Sequence, residues 1–122
     1  MKILGLVFTG TATDRRPEMS AFVADVLGLE RIEVEGVEAD LFSLPDGSAF
    51  AVSDPWGMGD TTRTIGFLVA DLDAAAQELR AAGVEVDDEE GVNERWRYLH
   101  FTAPDGQLYE ICEEVTGRSG SR

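Results

Sequence analysis

One short string occurs twice in this chain. Phe42-Ser-Leu-Pro45-Asp46-Gly47-Ser-Ala-Phe-Ala51 and Phe101-Thr-Ala-Pro104-Asp105-Gly106-Gln-Leu-Tyr-Glu110 place Phe, Pro, Asp and Gly at the same offsets, 59 residues apart. Each copy reads as strand, turn, strand: Pro presets φ, Asp closes an Asx-type turn, and Gly takes the positive φ that a tight reversal needs. One copy would be an ordinary hairpin. Two at this spacing in 122 residues point to a duplicated module.

The segments upstream repeat as well. In the first half Ile3 to Thr9 reads as a strand, and Pro17 suits the first turn of a helix. Met19, Phe22, Val23, Val26 and Leu27 form the expected buried stripe of that helix, Gly28 ends it, and Leu29 to Glu35 is extended. In the second half Thr64 to Ala70 is a strand, and Asp71 or Asp73 can cap the helix that follows. Apolar residues at 75, 76, 79 and 82 keep helical spacing, Gly83 is the stop, and Val84-Glu-Val86 opens the next strand. The fold class is therefore α+β, from two tandem β-α-β-β-β modules within one domain over residues 1–115. Module 1 covers about 1–53, a linker 54–63 and module 2 about 64–115, with 116–122 as a frayed tail.

Composition narrows the function. A hydrophobic share of 43% can fill a core, and no run approaches the roughly 18–20 apolar residues of a membrane span. The net charge of −14, with Lys2 the only lysine, repels phosphate backbones and anionic lipid, so neither nucleic acid nor a membrane is an expected partner. Met1 to Thr11 lacks the cleavage pattern of a signal peptide, and the lone Cys112 cannot form an internal disulfide; the expected compartment is the cytoplasm. The Arg-rich, Ala/Gly/Val/Asp-rich composition is compatible with a high-GC bacterial source.

The layout resembles the vicinal oxygen chelate superfamily of glyoxalase I, bleomycin-resistance proteins and extradiol dioxygenases, over about residues 1–115. The pieces that carry the resemblance are Val69-Ala-Asp71, the helix ending in Ala81-Ala-Gly-Val84, Leu27-Gly28, and above all Phe-x-x-Pro-Asp-Gly-x-x-x-Glu at 101–110. It implies a cupped, eight-stranded mixed sheet around a cavity, helices on the convex side, a small organic ligand and a homodimer.

Alternation along strands sorts the side chains. Trp96, Tyr98 and His100 share one face, as do Leu108, Glu110 and Cys112, while Ile65, Phe67 and Val69 make an apolar face that suits the helices and leave Thr64, Gly66 and Leu68 toward the cup. The resemblance puts Glu110 on the cavity side, so the cup is expected to present Trp96, Tyr98, His100 and Glu110, with Leu6 and Phe8 from the first strand. Trp56, in the linker, either lids the mouth or pins the linker.

The resemblance also implies a divalent ion, held by His or Gln on each module's first strand and Glu on its last. Here Glu110 matches, but its counterpart is Ala51, Thr64 stands at the histidine position, and the first strand offers only Leu6 or Phe8. A catalytic ion generally needs about three protein ligands. The expectation is a member without metal or other cofactor.

Trp96 and Tyr98 suit ligand stacking, although core packing is the commoner fate of such residues. His100 is either a base or ligand contact, or a histidine satisfied by a neighbour; Glu110 is either a polar anchor for the ligand or the relic of a metal site, held by a hydrogen bond from His100 or Tyr98. Cys112 reads as a buried structural thiol, and Arg95 and Arg97 as partners of surface carboxylates such as Glu89, Glu90 and Glu94. The leading expectation is a protein that binds a planar or aromatic compound, of the drug-sequestering, antibiotic-resistance type. The alternative is a lyase, isomerase or dioxygenase-like enzyme with His100 and Glu110 as its acid and base.

Overall fold

The computed structural model describes residues 1–55 and 62–115. Strand β1 (Gly5–Ala12) leads to helix α1 (Arg16–Asp25), then β2 (Glu30–Ile32), β3 (Asp40–Ser43) and β4 (Ala49–Ser53). The order repeats in β5 (Arg63–Leu68), α2 (Leu72–Ala81), β6 (Gly91–Val92), β7 (Trp96–Thr102) and β8 (Leu108–Glu114). All eight strands make one mixed, curled sheet in the order β2-β3-β4-β1-β5-β8-β7-β6. This is the α+β architecture that the repeat predicts. Trp56 and the segment 116–122 lie outside the described residues.

Within each half the first strand runs parallel to the last, β1 beside β4 and β5 beside β8. The halves meet where β1 lies antiparallel to β5, with Phe8 opposite Gly66 and Gly10 opposite Thr64. A pseudo-twofold axis between those two pairs exchanges Phe8 with Thr64 and Gly10 with Gly66. The parallel ladders agree, for Gly10 faces Ala51 and Gly66 faces Glu110.

Both Pro-Asp-Gly strings form the expected reversals. Asp46 Oδ1 accepts from Ser48 N–H and Asp105 Oδ1 from Gln107 N–H, each at 2.9 Å. Gly47 and Gly106 take φ of 88° and 81°, a region that costs other residues strain.

The helices cover the face opposite the cup, and each closes its own small core. Val23, Phe42 and Val52 are buried under α1, with Met19, Ala24 and Phe50 against them. Leu72, Ala75 and Ala76 of α2 are buried with Val69, Leu99 and Ile111. Asp71 caps α2 by accepting from Ala74 N–H at 3.0 Å, and Gly83, with φ of 84°, follows its end.

Several expectations need correction. Phe22, Val26 and Leu27 are exposed, not part of a buried stripe. The phase of α1 is set instead by polar anchors: Arg16, Ser20 and Val23 share one helical face, and Asp40 on β3 receives the first two. Asp40 accepts from Arg16 Nε at 3.2 Å, Arg16 Nη2 at 3.0 Å, Ser20 Oγ at 2.6 Å and Arg31 Nη2 at 2.7 Å. A charge-assisted fork of this kind outweighs one more half-buried apolar side chain. Leu29 to Glu35 is strand only over Glu30–Ile32. Val84–Val86 opens no strand; Val86 makes a single bridge to Phe101, and β7 pairs instead with the short β6.

The back of module 2 is anchored by different residues. Arg97 pairs with Glu90 at 2.7 Å and with Glu113 at 3.3 Å, and Glu113 also accepts from Leu72 N–H at the start of α2. The expected Arg97–Glu90 pair is present, whereas Arg95 pairs with Glu114.

The Arg16 fork, outweighing the cost of burial, and then the Ser20 bond and the nearby guanidinium charges hold the Asp40 carboxyl at about 2 against an ordinary 3.8. Because its folded value is depressed, the stabilisation is full above pH 3.8 and fades as pH falls through 2. Asp40→Ala is expected to lower stability by about 2–3 kcal/mol at pH 7, since Arg16 keeps some contact with water. Urea denaturation at pH 7 and pH 2.5 checks this: the deficit should shrink at the lower pH, and an equal deficit would contradict the assignment.

Candidate functional site

The concave face of the sheet encloses a cavity of about 710 Å³, lined by strands of both halves of one chain. Its two walls differ in chemistry although the repeat relates their positions. By the 59-residue offset, Tyr98, His100, Glu110 and Cys112 correspond to Ala39, Leu41, Ala51 and Ser53, and all eight line the cavity. Module 2 thus supplies a polar, aromatic wall, and module 1 a wall of small apolar groups that leaves room.

Trp96, Tyr98, His100, Glu110 and Phe8, all expected at the cup, line the cavity together with Cys112 and Thr64. Leu6 and Leu68 do not. The β1–β5 register slips between Leu6 and Phe8, so Val7 and Phe8 reach the cavity while Leu6 stays 56% exposed. Gly66 keeps the floor open. A methyl group there would approach Phe8 Cβ to 2.9 Å and Glu110 Oε1 to 3.3 Å.

His100 is the centre of the polar wall. Its Nδ1 lies 3.0 Å from Asp87 Oδ2 and its Nε2 lies 2.9 Å from Glu110 Oε2. Tyr98 meets the imidazole edge-on at 5.6 Å between centroids. The other oxygen of Glu110 accepts from Cys112 Sγ–H at 3.4 Å. Burial, with the Glu110 charge beside it, pushes the Cys112 thiol well above its ordinary range, which makes it a poor nucleophile. Burial likewise raises Tyr98, with Glu110 and Cys112 adding to the effect.

Asp87 escapes a reading of sequence alone. It opens the acidic run Asp87-Asp88-Glu89-Glu90, which looks like a solvated loop. Only the Val86–Phe101 bridge brings it beside His100, where Asp87 N–H also donates to the His100 carbonyl at 3.0 Å. Ser53 escapes too. Its Oγ is buried with no hydrogen-bond partner among the described residues.

The register identifies Phe8, Ala51, Thr64 and Glu110 as the symmetry-related positions on the cup floor. Only Glu110 is an anionic donor, and His100 already engages it. Among the described residues no three His, Cys, Asp or Glu side chains gather as ligands. This donor set does not suit a divalent ion.

The sequence profile of the Glyoxalase/Bleomycin resistance protein/Dioxygenase superfamily matches residues 5–111. The chain belongs to this superfamily. No curated protein matches its sequence. Methylmalonyl-CoA epimerase from Mycobacterium tuberculosis superposes with a TM-score of 0.73 at 19% identity, over 97% of this chain and 93% of that one. A variant of the Streptomyces coelicolor methylmalonyl-CoA epimerase, in complex with 2-nitronate-propionyl-CoA, gives 0.68 at 21% identity over 93% and 99%. BphC, a halotolerant catechol dioxygenase, gives 0.69 at 20% identity over 91% of this chain and 39% of its own. At these identities the likeness shows the fold alone.

Burial is the largest single influence on His100 and disfavours its charge, but the bonds and charges of Glu110 and then Asp87 together outweigh it, raising the histidine above 6.5. The sign follows: the favourable pairing is complete below the ordinary value and is lost as pH rises through the raised one. His100 is the only histidine, so its NMR titration is unambiguous. The midpoint is expected above 6.5, and Asp87→Asn should lower it; a wild-type midpoint below 6.5 would contradict the pairing.

Proposed function

We propose that this protein binds a planar, amphipathic small molecule in its cup without a metal ion, and sequesters it as drug- or natural-product-binding proteins do. The observation that carries the proposal is the contrast between the two walls. Small apolar groups of module 1, Ala39, Ala49 and Ala51, face the aromatic and polar side chains Trp96, Tyr98, His100 and Glu110 of module 2. A flat molecule with one polar edge fits that contrast: its body lies against the alanines and stacks on Trp96, and its edge meets Glu110 and His100. A large, mostly apolar cavity with a few convergent polar groups is the usual form of a small-molecule site. His100 and Glu110 orient the ligand, with Trp96 and Phe8 supplying most of the contact area.

The working unit in this reading is a cytoplasmic homodimer. The exposed apolar residues Phe22, Val26 and Leu27 at the end of α1 support a self-association surface.

A second reading has its own support. Asp87 and Glu110 flank His100 on both nitrogens, an arrangement able to hold a proton at Nε2 and exchange it with Glu110. In that reading the cup carries out an acid–base isomerisation or elimination on the molecule it binds.

The test is binding of a panel of planar heterocycles to chelator-treated protein, measured by calorimetry. Affinity is expected to be the same with and without the chelator, and Trp96→Ala should weaken it by about 1–3 kcal/mol. Turnover that is lost in Glu110→Gln would favour the enzyme. Binding or thermal stability that collapses on chelation would overturn the metal-free reading.

A further inference from the structure

We propose that the ligand of this cup is a planar organic cation, which takes the place on Trp96 now held by the guanidinium of Arg95. This inference rests on the binding reading above and adds the charge of the ligand.

The lining carries four carboxylates, Glu33, Glu38, Glu94 and Glu110, against two basic side chains, Arg95 and His100. His100 is committed to Asp87 and Glu110. Glu33 and Glu38 come from the segment between β2 and β3 in module 1, and Glu94 from the turn between β6 and β7 in module 2. They therefore line the cup from both halves, and none of the three makes an ion pair with the described residues. The whole chain, at −14, adds to the negative potential that a low-dielectric cleft concentrates.

Arg95 shows what this environment accepts. Its guanidinium carbon lies 5.1 Å from the centroid of the Trp96 ring, where a cation is drawn to the π-face. Its tip also reaches the reversal of the other module: a methyl group on Gly47 would come within 2.6 Å of Nη2. β4 and β7 lie far apart in the sheet order, so this contact spans the cup between hairpins of opposite halves. A guanidinium is flat, delocalised and weakly hydrated. A ligand with those properties, and a larger aromatic surface, meets the same attractions with more area.

Arg95 can yield the position. Its side chain is 47% exposed and its ion pair with Glu114 is long, at 3.8 Å. Such pairs hold little. The buried Ser53 hydroxyl, unpartnered among the described residues and part of the cavity lining, offers a further polar contact to a ligand that carries N–H groups. An acyl-CoA ester, by contrast, would bring several phosphate charges to a lining that already holds four carboxylates against two basic side chains.

Two tricyclic dyes of similar outline and opposite charge test the proposal: methylene blue, a cation, and resorufin, an anion at pH 7.5. Calorimetry at low salt is expected to give one methylene blue per chain, bound at least tenfold more tightly than resorufin, with the gap narrowing as salt is added. Arg95→Ala should tighten methylene blue severalfold by removing the internal competitor, and Trp96→Ala should weaken it at least fivefold. Equal affinity for both dyes, or weaker methylene blue binding in Arg95→Ala, overturns the charge assignment but leaves the binding reading standing. Methylene blue binding undiminished by Trp96→Ala means attraction to the acidic surface in general and also overturns it. If no planar compound of either charge binds, the binding reading itself fails.

Discussion

Antiparallel pairing of β1 with β5 is the constraint on which the rest of this molecule depends. It joins two β-α-β-β-β units into one sheet and fixes the pseudo-twofold that relates them. Once Phe8 lies opposite Gly66 and Gly10 opposite Thr64, strand alternation decides which side chains reach the cavity and which meet the helices. A shift of one residue at this seam would turn Glu110's neighbours away from the cup. Gly66 serves the seam directly, for any side chain there would strike Phe8 and Glu110.

The two halves share one frame and differ on both faces. On the helix side, α1 is held through Asp40 and its arginine fork, whereas the α2 side relies on Arg97 and Glu113. In the cup, Ala39, Leu41 and Ala51 replace the tyrosine, histidine and glutamate of the other half. The result is a cavity that is polar on one side only. Glu110, the one anionic donor among the floor positions, is bound to imidazole, and Asp87 completes a carboxylate–imidazole–carboxylate array. Such an array is stable because each ring nitrogen has a partner and the charges offset one another over short distances.

Much of this was legible in the amino-acid order. The repeated Phe-x-x-Pro-Asp-Gly announces the duplication, because turn chemistry is local and needs those residue types at those places. Period-two alternation grouped Trp96, Tyr98 and His100 on one face of their strand and Leu108, Glu110 and Cys112 on one face of theirs; the family resemblance turned Glu110 to the cup, and the unbroken β7–β8 ladder, with His100 opposite Glu110, joins the two sets. The readings that failed were the ones governed by distant contacts. Leu6 left the cup because of an irregular register, which no local pattern records. Phe22, Val26 and Leu27 misled because the face of α1 that meets the sheet is chosen by Arg16 and Ser20 reaching Asp40, two polar residues in an apolar stripe. Asp87 was hidden in a run of acids until a single bridge set it beside His100.

In the proposed function the cup holds an organic molecule and no divalent ion, a claim in two halves. A crystal structure of the protein soaked with manganese and methylene blue, with anomalous data collected, addresses both halves of that claim at once. Flat density against Trp96, His100 still bonded to Glu110, and no manganese peak on the cup floor are expected. A manganese peak coordinated by Glu110, with His100 swung away from its carboxylate, would contradict it.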